Sequence, residues 1–156
     1  MQNDLFFMDQ AYAQALKAYA INEVPIGAVL VDGAGVVVAR GYNQVEKKGT
    51  QLAHAEMIVL GKGAKKNGNW RLNSMTLYVT VQPCMMCLGA LYLSRVTRIV
   101  YGVESPKYGV SSVSVDLVGI YQNLHTTMHG IHYEPAKLLL QLFFQKKRSK
   151  HEAQQG

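Results

Sequence analysis

Three residues of this chain could hold one metal ion, and a fourth could move protons beside it: His54, Cys84, Cys87 and Glu56. They lie in two short pieces, His54-Ala55-Glu56 and Pro83-Cys84-Met85-Met86-Cys87. One histidine and two cysteines give zinc three ligands and leave the fourth tetrahedral position open, as a catalytic site requires; a structural site fills all four. Water in that position has its pKa lowered from about 16 towards 7, so hydroxide becomes available near neutral pH. Glu56 follows the histidine by two residues, near enough to shuttle a proton and free of the metal. Cys84 and Cys87 are the only cysteines in the chain. An inert thiol pair needs neither the preceding proline nor this spacing, and a thioredoxin-like redox pair needs neither His54 nor Glu56. An exposed helix glutamate is the bland reading of Glu56, and a metal-ligating neighbour outweighs it.

The flanking sequence explains how these residues can meet. Residues 53–66 read as a helix that opens at the histidine. Pro83 suits a first helical turn, where a missing N–H does no harm, so Cys84 and Cys87 begin a second helix over 85–93. A thiolate at a helix N-terminus is stabilised by the unpaired N–H groups there. With both helix starts aimed at one point, the three ligands converge and Glu56 reaches the open face. His-x-Glu followed by Pro-Cys-x-x-Cys is also the pattern of the zinc nucleobase deaminases.

The remaining elements form a carrier for those two helices. Leu5, Met8, Tyr12, Leu16 and Tyr19 recur at helical spacing and predict a first amphipathic helix. Two apolar runs, 26–31 and 36–39, flank Asp32-Gly33-Ala34-Gly35 and predict a hairpin. Further strands are expected at 76–81, 97–102 and 129–133, and a last helix opens at Pro135. The alternation predicts an α/β protein of three layers, α/β/α, with a mixed five-stranded sheet. The metal would then lie at strand C-termini, where open α/β sheets place their ligands. The chain's 156 residues, 49% hydrophobic, suit one domain over 1–150 with a flexible tail at 151–156. No apolar run has membrane length, and Asp4 and Asp9 interrupt the apolar N-terminus, which argues against a signal peptide or membrane anchor. Two cysteines at ligand spacing fit a reducing, cytoplasmic setting.

The net charge is +6, and the last helix ends Gln145-Lys146-Lys147-Arg148-Ser149-Lys150 directly after Phe143-Phe144. Cations hold phosphate and rings stack on bases, so this end suits nucleic acid; the competing reading is a solvated, dipole-complementing helix end.

Along nearly its whole length the chain resembles the bacterial tRNA-specific adenosine deaminases. The matching pieces are Glu23-Val-Pro-Ile-Gly-Ala-Val-Leu-Val31, Ala39-Arg-Gly-Tyr-Asn43, Ala53-His-Ala-Glu-Met57, Asn69-Trp-Arg-Leu72, Thr76-Leu-Tyr-Val-Thr80, Pro83-Cys-x-x-Cys87, Arg98-Ile-Val-Tyr-Gly102 and the Phe143-Phe144-basic end. The resemblance implies a cytidine-deaminase-like fold, a homodimer, and hydrolysis of adenosine to inosine at the wobble position of an arginine tRNA. It implies zinc as the metal and a tRNA anticodon stem-loop bound across both subunits. By matching position, Ile26 lines the base pocket and Asn43 contacts the base or ribose. Lys107 and the stretch containing Phe144, Lys147 and Arg148 touch RNA.

Four places depart from the family pattern: Gln82 stands for glutamate, Leu52 for threonine, Thr50-Gln51 for Asp-Pro, and Ser105 for aspartate. None is a metal ligand or Glu56. By resemblance the Ser105 loop lies along the flipped nucleotide, where serine would read the ribose 2′-hydroxyl less strictly than aspartate. The stretch from Gln122 to His125 only loosely matches an Asn-His pair and receives no role. Three rival functions stand beside the deaminase of tRNA: a zinc deaminase of a free nucleobase or nucleoside, guanine or cytosine; a non-catalytic zinc RNA-binding module, which has no use for Glu56; and a thiol redox protein, which needs no metal. The apolar helix 85–93, with Met85, Met86, Leu88, Leu91, Tyr92 and Leu93, has no polar face and is expected at the homodimer interface, with burial inside the monomer as the competing reading.

Overall fold

Every residue of strand β1 (Gly27–Val31) is buried, which means that both faces of the sheet are covered. Ala28 and Leu30 point into one core with Leu77, Val79 and Ile99; Val29 and Val31 point into the other with Tyr78 and Val100. The period of two along each strand thus splits its apolar residues between two layers of helix. The computed structural model describes residues 3–105, 107–109 and 126–155. Their sheet has the order β2-β1-β3-β4-β5, with β2 at Val37–Tyr42, β3 at Thr76–Val81, β4 at Arg98–Val103 and β5 at Thr127–Gly130. β1 runs antiparallel to β2 and β3, whereas β3, β4 and β5 are parallel, so the sheet is mixed and five-stranded as the alternation predicts. Helices α3 (Ala55–Asn67) and α4 (Met85–Leu93) cover the first core. Helix α1 (Asp4–Ala20) covers the second, joined by the last helix.

The hairpin turns at Asp32, whose Oδ1 accepts the N–H groups of Ala34 and Val36, and Gly35 takes the left-handed φ of 81° that the turn requires. β2 continues to Tyr42, three residues beyond the apolar run, because Arg40, Gly41 and Tyr42 complete the ladder opposite Val29, Ala28 and Gly27. Two short helical turns follow, α2 (Val45–Lys48) and a 3-10 turn at Gln51–Ala53, and they lead the chain into His54.

Helix α1 buries Met8 from the stripe its large residues trace but turns the two leucines of that stripe outward. Leu5 and Leu16 are 59% and 44% exposed, while Phe7, Met8, Ala11, Ala15 and Ala18 are buried. The cause is close approach: a Cβ on Gly27 would land on the Ala11 carbonyl oxygen and the Ala15 nitrogen. Only small side chains let helix and strand come so near, so alanines rather than leucines face the sheet. Asp4 secures the start of α1, with Oδ1 and Oδ2 accepting from Arg98 at 2.8 and 2.6 Å and Oδ1 also accepting from the Tyr78 hydroxyl. Gly27→Ala is expected to lower stability by at least about 2 kcal/mol, since the obstruction is backbone. For a domain of this size that is a fall in Tm of roughly 4–8 °C. Gly61→Ala, where a Cβ meets nothing within 4 Å, is the control and should hold or raise Tm.

β5 (Thr127–Gly130) begins two residues and ends three residues before the expected 129–133. The Ile131 and Tyr133 N–H groups still donate to the Tyr101 and Gly102 carbonyls, but His132 between them adopts a φ of 50°, so the extended strand does not continue. Helix α5 (Glu134–Gln155) buries Ala136, Leu139 and Phe143, and leaves Leu138 and Leu142 exposed. It runs five residues past position 150, because His151, Glu152, Ala153 and Gln154 contain no helix breaker before Gly156. Residues 122–125 lie outside the described residues.

Candidate active site

His54 and Cys84 occupy equivalent places, each the N-cap residue of a helix that packs on the same sheet face. Glu56 and Cys87 each sit in the first turn of the helix that follows, α3 and α4. β3 carries the chain to Pro83 and delivers the cysteines at its C-terminal end, the position expected for an open α/β sheet. The ligand atoms of His54, Cys84 and Cys87 lie within 4.8 Å of one another. His54 Nδ1 is 3.8 Å from the Cys84 sulfur and 3.4 Å from the Cys87 sulfur. A tetrahedral zinc, with Zn–S of about 2.3 Å and Zn–N of about 2.0 Å, separates nitrogen and sulfur by about 3.5 Å, so the donor set fits the ion.

Gln51 completes the histidine's orientation. Its Oε1 lies 3.1 Å from His54 Nε2, and a carbonyl oxygen only accepts, so Nε2 carries the proton and Nδ1 keeps its lone pair for the metal. This glutamine was visible in the sequence only as a departure from the family's Asp-Pro. No motif marks it, because an outer partner needs just one acceptor at the right distance.

The electrostatics suit both metal and proton transfer. A hydrogen bond from the Cys87 thiol, followed by the nearby histidine, pushes Cys84 down to about 4. The same bond and burial push Cys87 up, and His54 is raised by its hydrogen bond to Cys84. Protons and a divalent cation compete for these three atoms, so metal binding releases protons. Glu56 is buried, and loss of hydration pushes it up to about 7. A carboxyl poised near neutrality both takes and returns a proton readily.

The other expected residues fall into two groups. Asn43 follows β2 directly, and its N–H donates to the Ile26 carbonyl, which brings these two residues together at one strand end. The next N–H, of Gln44, donates to Ala53, the residue before His54. Ser105 and Lys107 belong to a loop whose Gly109 forms an antiparallel bridge with Cys84. The Ser105 carbonyl accepts the Gly109 N–H at 2.8 Å, and Gln82 packs against Gly109. Phe144, Lys147 and Arg148 are exposed on α5, outside the metal cluster. Thr80 and Glu23 stand in segments that match the family but carry no role in the sequence: Thr80 Oγ1 accepts the Gly27 N–H, and Glu23 is 1% exposed beside Asn43.

The family described as the cytidine and deoxycytidylate deaminase zinc-binding region matches residues 1–103, which include all four residues of the cluster. The tRNA-specific adenosine deaminase of Bacillus subtilis (strain 168) is 41% identical over 155 residues, 98% of this chain and 96% of that one. Among solved structures, a tRNA:A34 deaminase studied for A-to-I editing at the wobble position superposes with a TM-score of 0.76. It has 33% identity and covers 87% of this chain and 99% of its own. Guanine deaminase from Bacillus subtilis superposes with a TM-score of 0.63 at 30% identity, over 80% of this chain and 78% of its own. A match across two thirds of the chain, relatives at such identity and a ligand set built for zinc agree: the chain is a hydrolytic deaminase of the zinc-binding cytidine and deoxycytidylate deaminase family, in the group that holds the tRNA-specific adenosine deaminases.

Proposed function

We propose that this protein converts adenosine to inosine at the wobble position of a tRNA, an arginine tRNA by family resemblance. The observation that carries the reading is the buried carboxyl of Glu56 beside an open His54-Cys84-Cys87 set. Near-full-length identity to a tRNA-specific adenosine deaminase supports the substrate. The zinc, when bound, acidifies a water molecule. The adenine is swung out of its stack, and the water oxygen bonds to C6. Glu56 takes a proton from that water and passes it to the ring nitrogen. It then moves a second proton to the exocyclic amine, the C6–N6 bond breaks, and ammonia leaves inosine behind.

Ile26 lines the base pocket in this reading and Asn43 contacts the base or ribose. Ser105 and Lys107 lie along the nucleotide, and Phe144, Lys147 and Arg148 hold the anticodon stem-loop. The exposed ring of Phe144 (44%), next to exposed cations, supports stacking and phosphate contact. A homodimer is supported by α4, where Met86 and Leu93, two turns apart, are 37% and 59% exposed. A second copy would cover that apolar stripe. No helix among the described residues is long and apolar enough to cross a membrane, and cytoplasmic placement belongs to the proposal.

The test is purified protein with an adenosine-bearing anticodon stem-loop and detection of inosine, run beside free adenosine, guanine and cytosine. Inosine from the stem-loop, reduced by Lys147→Ala with Arg148→Ala, is the expected result. The likeness to guanine deaminase favours a second reading, a deaminase of free bases. That enzyme would convert the free base and ignore both substitutions. Ser105→Asp is expected to raise the ratio of RNA to DNA turnover, since a carboxylate accepts from the 2′-hydroxyl and is left poorly satisfied by deoxyribose. An unchanged ratio removes Ser105 from ribose reading.

A further inference from the structure

Glu23 lies between α1 and β1, is 1% exposed, and has no task in the proton transfers. A carboxylate taken out of water persists where donors meet it. Oε1 accepts the Lys47 N–H at 2.7 Å, and Oε2 accepts from Asn43 Nδ2 at 3.3 Å. Asn43 is 5% exposed, and its Nδ2 also donates to the Val24 carbonyl at 3.3 Å. Both of these partners can only accept, so the amide has one satisfied orientation, with Nδ2 towards Glu23 and Val24. Among the described residues no donor meets the Asn43 Oδ1.

We propose that Glu23 is a positioning residue that fixes Asn43 as a hydrogen-bond acceptor for the target nucleotide. This rests on the reading in which Asn43 contacts the base or ribose. An unconstrained asparagine offers either a donor or an acceptor; one tied by both Nδ2 protons offers Oδ1 alone. The nucleotide group it meets is therefore an N–H or O–H donor, and a nucleotide with only an acceptor there is rejected. Glu23 does this from the α1–β1 connection, where the Lys47 N–H holds its carboxylate in place beside Asn43.

Glu23→Gln keeps the side chain's size and removes the constraint. With its oxygen on the Lys47 N–H, the glutamine sets Nε2 against Asn43 Nδ2. Turned around, it sets Nε2 against the Lys47 N–H. Turning Asn43 instead sets Oδ1 against the Val24 carbonyl. Every arrangement brings like against like.

The experiment compares the zinc-loaded wild type, Glu23→Gln, Asn43→Ala and the double variant on the adenosine stem-loop, with zinc content and Tm of each. Each single substitution is expected to lower kcat/KM by about 10- to 100-fold, the usual range for a misdirected hydrogen bond at a substrate. The double variant is expected to match Asn43→Ala within about twofold, because Glu23 acts only through Asn43. Losses that multiply in the double variant, or an unchanged kcat/KM in either single one, overturn the proposal. Exchange of the Asn43 side-chain amide protons, followed by NMR, gives a readout independent of turnover. Slow exchange in wild type and fast exchange in Glu23→Gln is the expected result; equal rates overturn the proposal. A wild type that forms no inosine from the stem-loop defeats the tRNA reading, while the amide exchange still decides the role of Glu23.

Discussion

Glu56→Ala is expected to keep zinc and fold while turnover falls by about 10²–10⁴ or more, the contribution of a group that serves general acid and base steps. Glu56 serves two proton transfers in the proposed reaction, so its loss affects both the attack on C6 and the departure of ammonia. Glu56 is not one of the three ligands: His54 precedes α3, Cys84 caps α4 and Cys87 lies in its first turn, so the substitution leaves all three donor atoms in the chain. Glu56→Gln separates size from chemistry: it fills the same buried space and cannot carry the proton. Burial disfavours the charged carboxyl, as its raised pKa of about 7 records, so the glutamine variant should unfold at the same temperature or higher. An activity loss without a stability loss is the mark of a residue kept for function. The measurement is single-turnover inosine formation beside zinc content and thermal unfolding. A variant that retains a tenth of the wild-type rate places the proton shuttle elsewhere.

Residues that act through a fixed spacing were legible in the sequence; residues that act through tertiary approach were not. Cys84 and Cys87 announce themselves because one helical turn must bring both sulfurs to one ion, and Pro83 marks where that turn begins. The same reasoning set α4 at the bounds the structure has, Met85–Leu93. Strand β3 was equally plain, six apolar or β-branched residues buried on both faces. Helix α1 was legible as a helix and not as a surface: Leu5 and Leu16 carry the hydrophobic signal, yet Ala11 and Ala15 make the contact that Gly27 permits. Periodicity weighs side-chain size, while the sheet here selects for its absence. β5 stops short of the expected Tyr133 because His132, not a glycine, leaves the extended conformation there. Gln51 and Glu23 stand in stretches compared with the family, one as a departure and one as a match, but neither stretch gives them a role. Each is one polar residue whose meaning depends on a partner that folding brings to it, His54 in one case and Asn43 in the other.

The metal itself gives the second large effect, and it is graded by distance from the ion. Cys87→Ala is expected to lose stoichiometric zinc and all measurable turnover together. Two remaining ligands cannot hold the tetrahedral site, and Cys87 is fully buried, so no solvent-exposed group replaces its sulfur. Stability should fall as well, since metal that binds only the folded chain adds its binding free energy to folding. Chelation of the wild type should mimic the substitution: Tm drops, and added zinc restores it. For Cys87→Ala, zinc should restore nothing. Gln51→Ala lies one step further out. It leaves the three ligands in place and frees the His54 ring to turn or to take its proton on Nδ1. Outer-shell partners of this kind contribute about 10- to 100-fold in metal affinity, so the variant should be purified with zinc and lose it to a chelator sooner than wild type. Zinc content and chelator titration of the two variants provide the check. Full zinc in Cys87→Ala would remove that residue from the ligand set, and a Gln51→Ala protein that holds zinc as tightly as wild type would show that the histidine is oriented by something else.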